Sequence, residues 1–292
     1  MSNSFLQPEE LSFLFHIFVA DKSEFMNGTS NIIFLGTGNA LATRCFNTCF
    51  IIRSRGNMLM VDAGGGNGIL RQLELSGIQR EDIHDLIVTH AHTDHILGVV
   101  WMMRMALQFQ SPRPFHIFSH RKVLDVLTYI CQQILPKHEA ERIGSVVLLH
   151  ELHDGDRFQV GDMQLQCFDI HSTKELQYGF TALLPDGQRL VCLGDEPYCE
   201  DNEKYVRGAD WLMSEAFCLY ADRERFQPYE KHHSTVLDAA RLAEQLSVKN
   251  LILYHTEDWT LSTRRERYTA EAKTVFHGNV FVPEDTEIIQ IG

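Results

Sequence analysis

The 292 residues predict an α/β (α+β) fold, a four-layer αββα sandwich in which two sheets pack face to face with helices outside. Three observations carry this reading. Strand-like runs come in blocks, helical periodicity lies between the blocks and at the end of the chain, and a hydrophobic content of 44% can bury a large core. No low-complexity tract, charge block or Pro/Ser-rich linker divides the chain. One domain is therefore expected over 29–292, preceded by an extension over 1–28.

Within that extension, Leu11-Ser-Phe-Leu-Phe-His-Ile-Phe-Val-Ala20 is strongly apolar, yet too short to span a bilayer. Glu9 and Glu10 stand where a secretory signal carries basic residues. The segment is expected to pack on the domain or on a second subunit of a homodimer, unless the natural start is Met26. Strands are predicted at 32–35, 49–52 and 58–61, a helix at 68–75, a strand at 86–89 and a helix at 96–109. A strand at 115–118, a helix at 122–135 and four strands at 146–149, 163–168, 179–184 and 190–193 follow. A helix at 235–246, a strand at 251–254 and a helix at 263–276 close the chain. Gly36-x-Gly38 and Gly64-Gly65-Gly66 lack the further residues of nucleotide-binding fingerprints, so both read as tight turns at strand ends.

The formal net charge of −13, from 26 basic and 39 acidic residues, argues against a broad basic face for gripping nucleic acid. Seven cysteines form no C-x-x-C pair and sit mostly in apolar runs, which reads as buried thiols in a reducing cytoplasm.

His90, His92, Asp94 and His95 fall within six positions, directly after the strand at 86–89. Side chains along a strand repeat direction every two residues, so His90 and His92 can point the same way as the strand runs out. Asp94 and His95 then open the following helix. Imidazoles and a carboxylate gathered at one turn suit zinc and similar transition metals.

His90-x-His92-x-Asp94-His95 in this position resembles the signature of the metallo-β-lactamase superfamily. The family's later motifs follow in order, each ending an apolar run: Phe168-Asp-Ile-His171, Cys192-Leu-Gly-Asp195 and Leu253-Tyr-His255. Asp62-Ala-Gly-Gly resembles the family's aspartate–glycine turn. The resemblance implies that His90, His92 and His171 hold one divalent ion, that Asp94, His95 and His255 hold a second, and that Asp195 bridges them. Zinc is expected, with manganese or iron as alternatives. Such a pair shares a hydroxide beside Asp94, which the resemblance also marks as catalytic, and makes hydrolysis possible at neutral pH.

A classical zinc β-lactamase would carry cysteine where Asp195 stands. Phe34-Leu-Gly-Thr-Gly-Asn-Ala and Phe46-Asn-Thr-Cys-Phe instead resemble the start of ribonuclease Z and its phosphodiesterase relatives. His232-His233-Ser-Thr is similar to that branch's segment upstream of the last ligand. Ser234 is expected to cap the next helix, leaving His233 beside a helix N-terminus that favours an anion. His233 is thus the second catalytic candidate, steadying phosphoryl oxygens or protonating a leaving oxygen, while His232 reads as surface. Ribonuclease Z enzymes carry a tRNA-gripping arm between the third-motif histidine and the bridging aspartate. Here only 24 positions, 195 − 171, separate the two. Glu196, Glu257 and Asp258 are further departures and are expected to repel a polyanion.

The expected activity is a cytoplasmic, binuclear, ribonuclease Z-like phosphodiesterase acting on a small phosphodiester or short RNA-like substrate, with no membrane contact. Alternatives are a thioester or lactone hydrolase of the same fold, an iron-dependent oxidoreductase, and a non-catalytic binding protein.

Overall fold

The computed structural model describes residues 29–109 and 113–292. The apolar segment 11–20 and the expected extension lie outside the described residues. The first sheet is built from β1 (Asn31–Gly36), β2 (Cys49–Ser54), β3 (Asn57–Val61), β4 (Asp85–Ile87), β5 (Phe115–Ser119) and β6 (Val147–Glu151). The second holds β7 (Arg157–Val160), β8 (Met163–Asp169), β9 (Tyr178–Leu183), β10 (Arg189–Cys192), β11 (Trp211–Glu215), β12 (Asn250–Tyr254) and β13 (Asn279–Phe281). A last strand, β14 (Ile288–Gln290), returns to the first sheet. The strand orders are β14-β1-β2-β3-β4-β5-β6 and β13-β12-β11-β10-β9-β8-β7.

Alternation along the strands sends side chains to two different apolar layers. In β1, Ile32 and Phe34 enter the core between the sheets while Ile33 and Leu35 face the helices. On the first sheet those helices are α1 (Gly68–Leu75), α2 (Thr93–Gln108), α3 (Arg121–Ile134) and the short α4 (Lys137–Ala140). In the second sheet, α5 (Glu203–Val206) lies between β10 and β11 and α6 (Arg223–Phe226) between β11 and β12, and the outer face is covered by α7 (Val236–Gln245) and α8 (Arg264–Ala272). The sandwich is therefore the four-layer αββα arrangement that the sequence predicts. Phe34, Phe50 and Phe180 are fully buried between the sheets, each stabilising the fold by roughly 1.5–3 kcal/mol.

The predicted elements are all present. β7, β11, β13 and β14 are additional strands, and the most consequential is Trp211-Leu-Met-Ser-Glu215, a parallel neighbour of both β10 and β12. The helix after His90 starts at Thr93, so Asp94 and His95 lie in its first turn. The cap of α7 is Thr235 rather than Ser234: its hydroxyl accepts the Asp238 N–H while Asp238 reaches back to the Thr235 N–H, a reciprocal capping box. All seven cysteines are free thiols. Burial pushes Cys192 up to about 11 and Cys218 up to about 12. Among the described residues no helix is long and apolar enough to cross a membrane.

The start of α2 is docked tightly onto the turn after β3. The Ala63 N–H donates to the His95 carbonyl at 3.0 Å and the Gly98 N–H to the Gly64 carbonyl at 2.8 Å. A Cβ on Gly98 would stand 1.8 Å from the Ala63 oxygen. Gly98→Ala is therefore expected to cost about 1–3 kcal/mol and to lower the melting temperature by roughly 5 °C. Leu97→Ala, on the exposed side of the same turn, is expected to shift it by no more than about 2 °C. Thermal melts of both variants check the contrast.

Candidate metal centre

Residues after β4, β10 and β12, with the first turn of α2, meet at one edge of the sandwich, at the carboxyl ends of parallel strands where open α/β sheets place their ligand sites. Two groups of ligand atoms form there: His90, His92 and Asp195, and beside them Asp94, His95 and His255. His90, Asp94, His95, Asp195 and His255 are all buried.

Asp195 Oδ2 joins the two groups. It lies 3.6 Å from His90 Nε2, 3.7 Å from His95 Nε2 and 3.5 Å from His255 Nε2. Asp94 Oδ2 lies 3.3 Å from His95 Nε2 and 3.7 Å from His255 Nε2. Donors at about 2.0–2.1 Å around a tetrahedral cation stand about 3.3 Å apart, so these spacings fit ligands around an ion. The buried His95 Nε2 and His255 Nε2 have no hydrogen-bond partner. Such orphaned acceptors are costly in a dry interior unless something electrophilic meets them. The residues present therefore fit a divalent cation.

Other side chains hold this set in place. Asp62 accepts the Thr89 N–H at 2.9 Å and the Thr89 hydroxyl at 2.8 Å, and its Oδ2 bonds His95 Nδ1 at 2.8 Å. That bond leaves His95 Nε2 facing the centre, the usual outer-shell arrangement of a ligating histidine. His90 Nδ1 lies 2.9 Å from both Thr89 Oγ1 and Gln177 Nε2, and Gln177 also donates to Asp195 Oδ1. Burial, against the pull of Asp195, keeps the His90 imidazole well below its ordinary range and hence neutral. The fully buried Arg264 donates to the carbonyl of Pro283 at 2.8 Å, to Thr37 Oγ1 at 3.1 Å and to Thr256 Oγ1, fixing the residue after His255.

His171 is placed differently from the other expected ligands. It follows β8 in the left-handed region, φ 60°, with its N–H donating to Asp169 Oδ1 at 2.7 Å. Its half-exposed ring turns toward Cys199 and Asp201 instead of joining His90 and His92. Asp195 takes the third place in that group. Asp62 and His255 are also left-handed, at φ 53° and 56°. Non-glycine residues held there cost of order 1–3 kcal/mol each and cluster at functional sites.

His233 stands where its ring faces His255, with centroids 5.2 Å apart, and stacks on Phe217 at 4.9 Å. Burial, followed by the nearby Lys174 ammonium, lowers it to about 4. Its Nδ1 bonds Glu215 Oε2 at 2.7 Å, and Glu215 Oε1 accepts the Ser234 N–H at 2.6 Å. The place near the start of α7 is thus occupied by a carboxyl group of the protein itself, which burial holds well above its ordinary range. Glu215, fully buried at the end of β11, is absent from the expected residues; its signal is a carboxylate ending a short apolar run, as Asp195 does. His232 is exposed, as expected. The three extra carboxylates turn away from a repelling role. Glu196 Oε1 bonds Lys174 Nζ at 2.9 Å, Glu257 Oε2 accepts the N–H groups of Trp259 and Thr260, and Asp258 accepts those of Thr43 and Arg44.

Residues 30–281 match the family described as Anti-Pycsar protein Apyc1. The chain is 24% identical to ribonuclease Z from Thermococcus sibiricus, with 89% of this chain and 96% of that one covered. Among solved structures it resembles the metallo-β-lactamase fold protein YhfI from Bacillus subtilis, with a TM-score of 0.72 and 18% identity over 90% of this chain and all of that one. It also resembles the short form of human tRNase Z, with a TM-score of 0.68 and 21% identity over 90% and 99% of the two chains.

Asp62 belongs to neither group of ligand atoms, yet it orients His95. Asp62→Ala is expected to weaken affinity for a divalent cation roughly ten- to a hundredfold, measured by zinc competition against a chromogenic chelator. Unchanged affinity would reduce Asp62 to a loop-closing residue.

Proposed function

The chain belongs to the Anti-Pycsar protein Apyc1 family, and from that premise and the metal centre's geometry we propose that it is an anti-Pycsar hydrolase working as a binuclear metal-dependent phosphodiesterase. The observation that carries the reading is the convergence of imidazoles from both groups on Asp195 Oδ2 at 3.5–3.7 Å, with His233 beside them. When bound, two divalent cations at such a centre lower the pKa of water to give a nucleophile at neutral pH and polarise the group attacked.

The chain's own residues supply the rest. His90, His92, Asp94, His95, Asp195 and His255 hold the cations. His171, half-exposed just after β8, is the further residue that would complete the group of His90 and His92 if its ring turned from Asp201 toward them. Asp94, in the group with His95 and His255, orients the attacking water. His233 donates a hydrogen bond or proton to a phosphoryl or leaving oxygen; burial holds the Glu215 carboxyl well above its ordinary range, so its protonated Oε2 donates to His233 Nδ1 and leaves the ring proton on Nε2.

The substrate is small. Between His171 and Asp195 the chain consists of a loop, β9, a turn closed by the Leu184 N–H on the Gln188 carbonyl, and β10. Nothing in that interval extends as the arm of ribonuclease Z does. Binding energy from remote contacts raises the rate on a large substrate, and here those contacts are missing.

Metal analysis of purified protein is expected to find about two transition-metal ions per chain, falling below about one in Asp195→Ala because that carboxylate serves both sites. One ion, with no activation on further titration, contradicts the binuclear reading. His233→Ala is expected to keep its metal while losing phosphodiester turnover by roughly a hundredfold or more. Thioester and lactone reporters run alongside discriminate the reaction class. Bis-(p-nitrophenyl) phosphate is expected to be cleaved, and precursor tRNA to be cut weakly and without defined placement. Accurate, efficient cutting at the 3′ end of the tRNA body would overturn the small-substrate reading.

A further inference from the structure

Outside the two groups that meet at Asp195, the described residues bring an imidazole, a thiol and a carboxylate together at a second place. His171, Cys199 and Asp201 each offer one ligand atom, and the three atoms lie within 4.8 Å of one another. His171 Nε2 stands 3.9 Å from Asp201 Oδ2, and its Nδ1 stands 3.9 Å from Asp169 Oδ2. One ring nitrogen thus faces a ligand-type oxygen while the other has a carboxylate behind it, the outer-shell arrangement of a ligating histidine.

The two segments that supply these atoms are fastened to each other. Cys199 opens a single 3-10 turn, Glu200–Asn202, closed by the Asn202 N–H on the Cys199 carbonyl at 3.0 Å. The Asn202 side chain is buried and donates from Nδ2 to the Asp169 carbonyl at 3.0 Å. That bond ties the turn to the end of β8, two residues before His171. The Asp169 N–H is held in turn by Asp154 Oδ1 at 2.9 Å. Five of the seven cysteines are buried, whereas Cys199 and Cys45 are partly exposed. A cation can therefore reach the Cys199 sulfur from solvent.

We propose that His171, Cys199 and Asp201 form a third metal site, for a thiophilic divalent cation such as zinc or cadmium, and that filling it keeps His171 away from His90 and His92. Thiolate, imidazole and carboxylate together suit zinc, whereas a thiolate disfavours magnesium. On binding, the Cys199 S–H gives its proton to solvent and the sulfur bonds the cation instead. Three protein donors leave a fourth place for water, so the ion is held less tightly than in a closed four-ligand site. A single imidazole serves one site at a time, and excess cation thereby draws His171 out of the binuclear centre. The site stands on its own donors; only its effect on turnover rests on the proposed phosphodiesterase.

The test is alkylation of the full chain, as purified, with iodoacetamide, the modified cysteines being identified by peptide mass. A modest excess of zinc or cadmium is expected to slow alkylation of Cys199 at least about tenfold, magnesium to leave it unchanged, and Cys45 to react alike throughout. Cadmium is expected to add a thiolate charge-transfer absorption that Cys199→Ser abolishes and Cys45→Ser keeps. His171→Ala and Asp201→Asn, each shown to be folded by thermal melts, are expected to lose most of the protection. Equal alkylation with and without zinc overturns the site, as does full protection in His171→Ala, which would leave a thiol binding metal by itself. Excess zinc is further expected to slow turnover of bis-(p-nitrophenyl) phosphate several-fold in the unmodified chain but not in Cys199→Ser. Equal slowing in both, or none in either, overturns the competition for His171. Protection of Cys199 in a chain without any turnover supports the site and refutes the phosphodiesterase.

Discussion

Buried carboxylates at one edge of the sandwich set the terms for everything around them. Asp62, Asp94, Asp195 and Glu215 are all almost or wholly removed from solvent, and a buried carboxyl must be paired or, like Glu215, kept neutral by burial. Each is compensated by a different device. Asp62 is saturated by Thr89 and His95, Glu215 by His233 and the Ser234 N–H, and Asp195 Oδ1 by Gln177. What remains, Asp195 Oδ2 and Asp94 Oδ2, faces imidazole nitrogens that themselves have no hydrogen-bond partner. The unsatisfied groups all point into one space, and divalent cations are the chemistry that satisfies carboxylate and neutral imidazole together.

The scaffold shows the same constraint. Bringing α2 close enough to aim Asp94 and His95 requires a residue without a side chain at 98, and turning Asp62 under His95 requires a left-handed backbone. Arg264 plays the corresponding part on the far side, gathering the loops after β1 and β12 by three hydrogen bonds from a wholly buried position. A buried guanidinium is tolerable there because oxygens of three separate segments receive its N–H groups. Local strain at the centre is thus matched by polar bonding around it, and the two halves of the sandwich are joined where the chemistry is.

Much of this is legible in the sequence, because it depends on local order. The sandwich follows from the spacing of apolar runs, and most of the candidate ligands follow from a dense motif at a strand end. What is missed depends on tertiary contact. Gln177 and Glu215 carry no motif, and they matter through a side chain distant in the chain. The β11 run Trp211-Leu-Met-Ser-Glu215 contains no β-branched residue, so it carries little strand signal although Gly208 and Asp210 precede it. Ser234 and Thr235 are equally good caps by composition, and the choice is made by Asp238 reaching back and by Glu215 claiming the Ser234 N–H. Glu196, Glu257 and Asp258 read as repulsive by charge alone, whereas in the fold each is occupied by a lysine or by backbone donors. His171 shows the limit from the other side: its position at a strand end is legible, but its ring direction is decided by a left-handed φ and an Asp169 bond.

Net charge and local charge also part company. At −13 the whole chain repels a polyanion, and the potential of the whole molecule governs how a large charged partner approaches. A small anion experiences mainly the groups within about a Debye length, roughly 8 Å at physiological ionic strength. Near the centre those groups include Lys174 on Glu196, Lys231 over Phe217, and Arg225 and Arg44 on Trp259. Cations held against aromatic rings keep their charge without an acidic partner to cancel it. An acidic protein can in this way exclude long nucleic acid by its overall field while admitting a single nucleotide-sized anion by its local one. On the proposed reading, this distribution of charge disfavours a long polyanion and tolerates a small one.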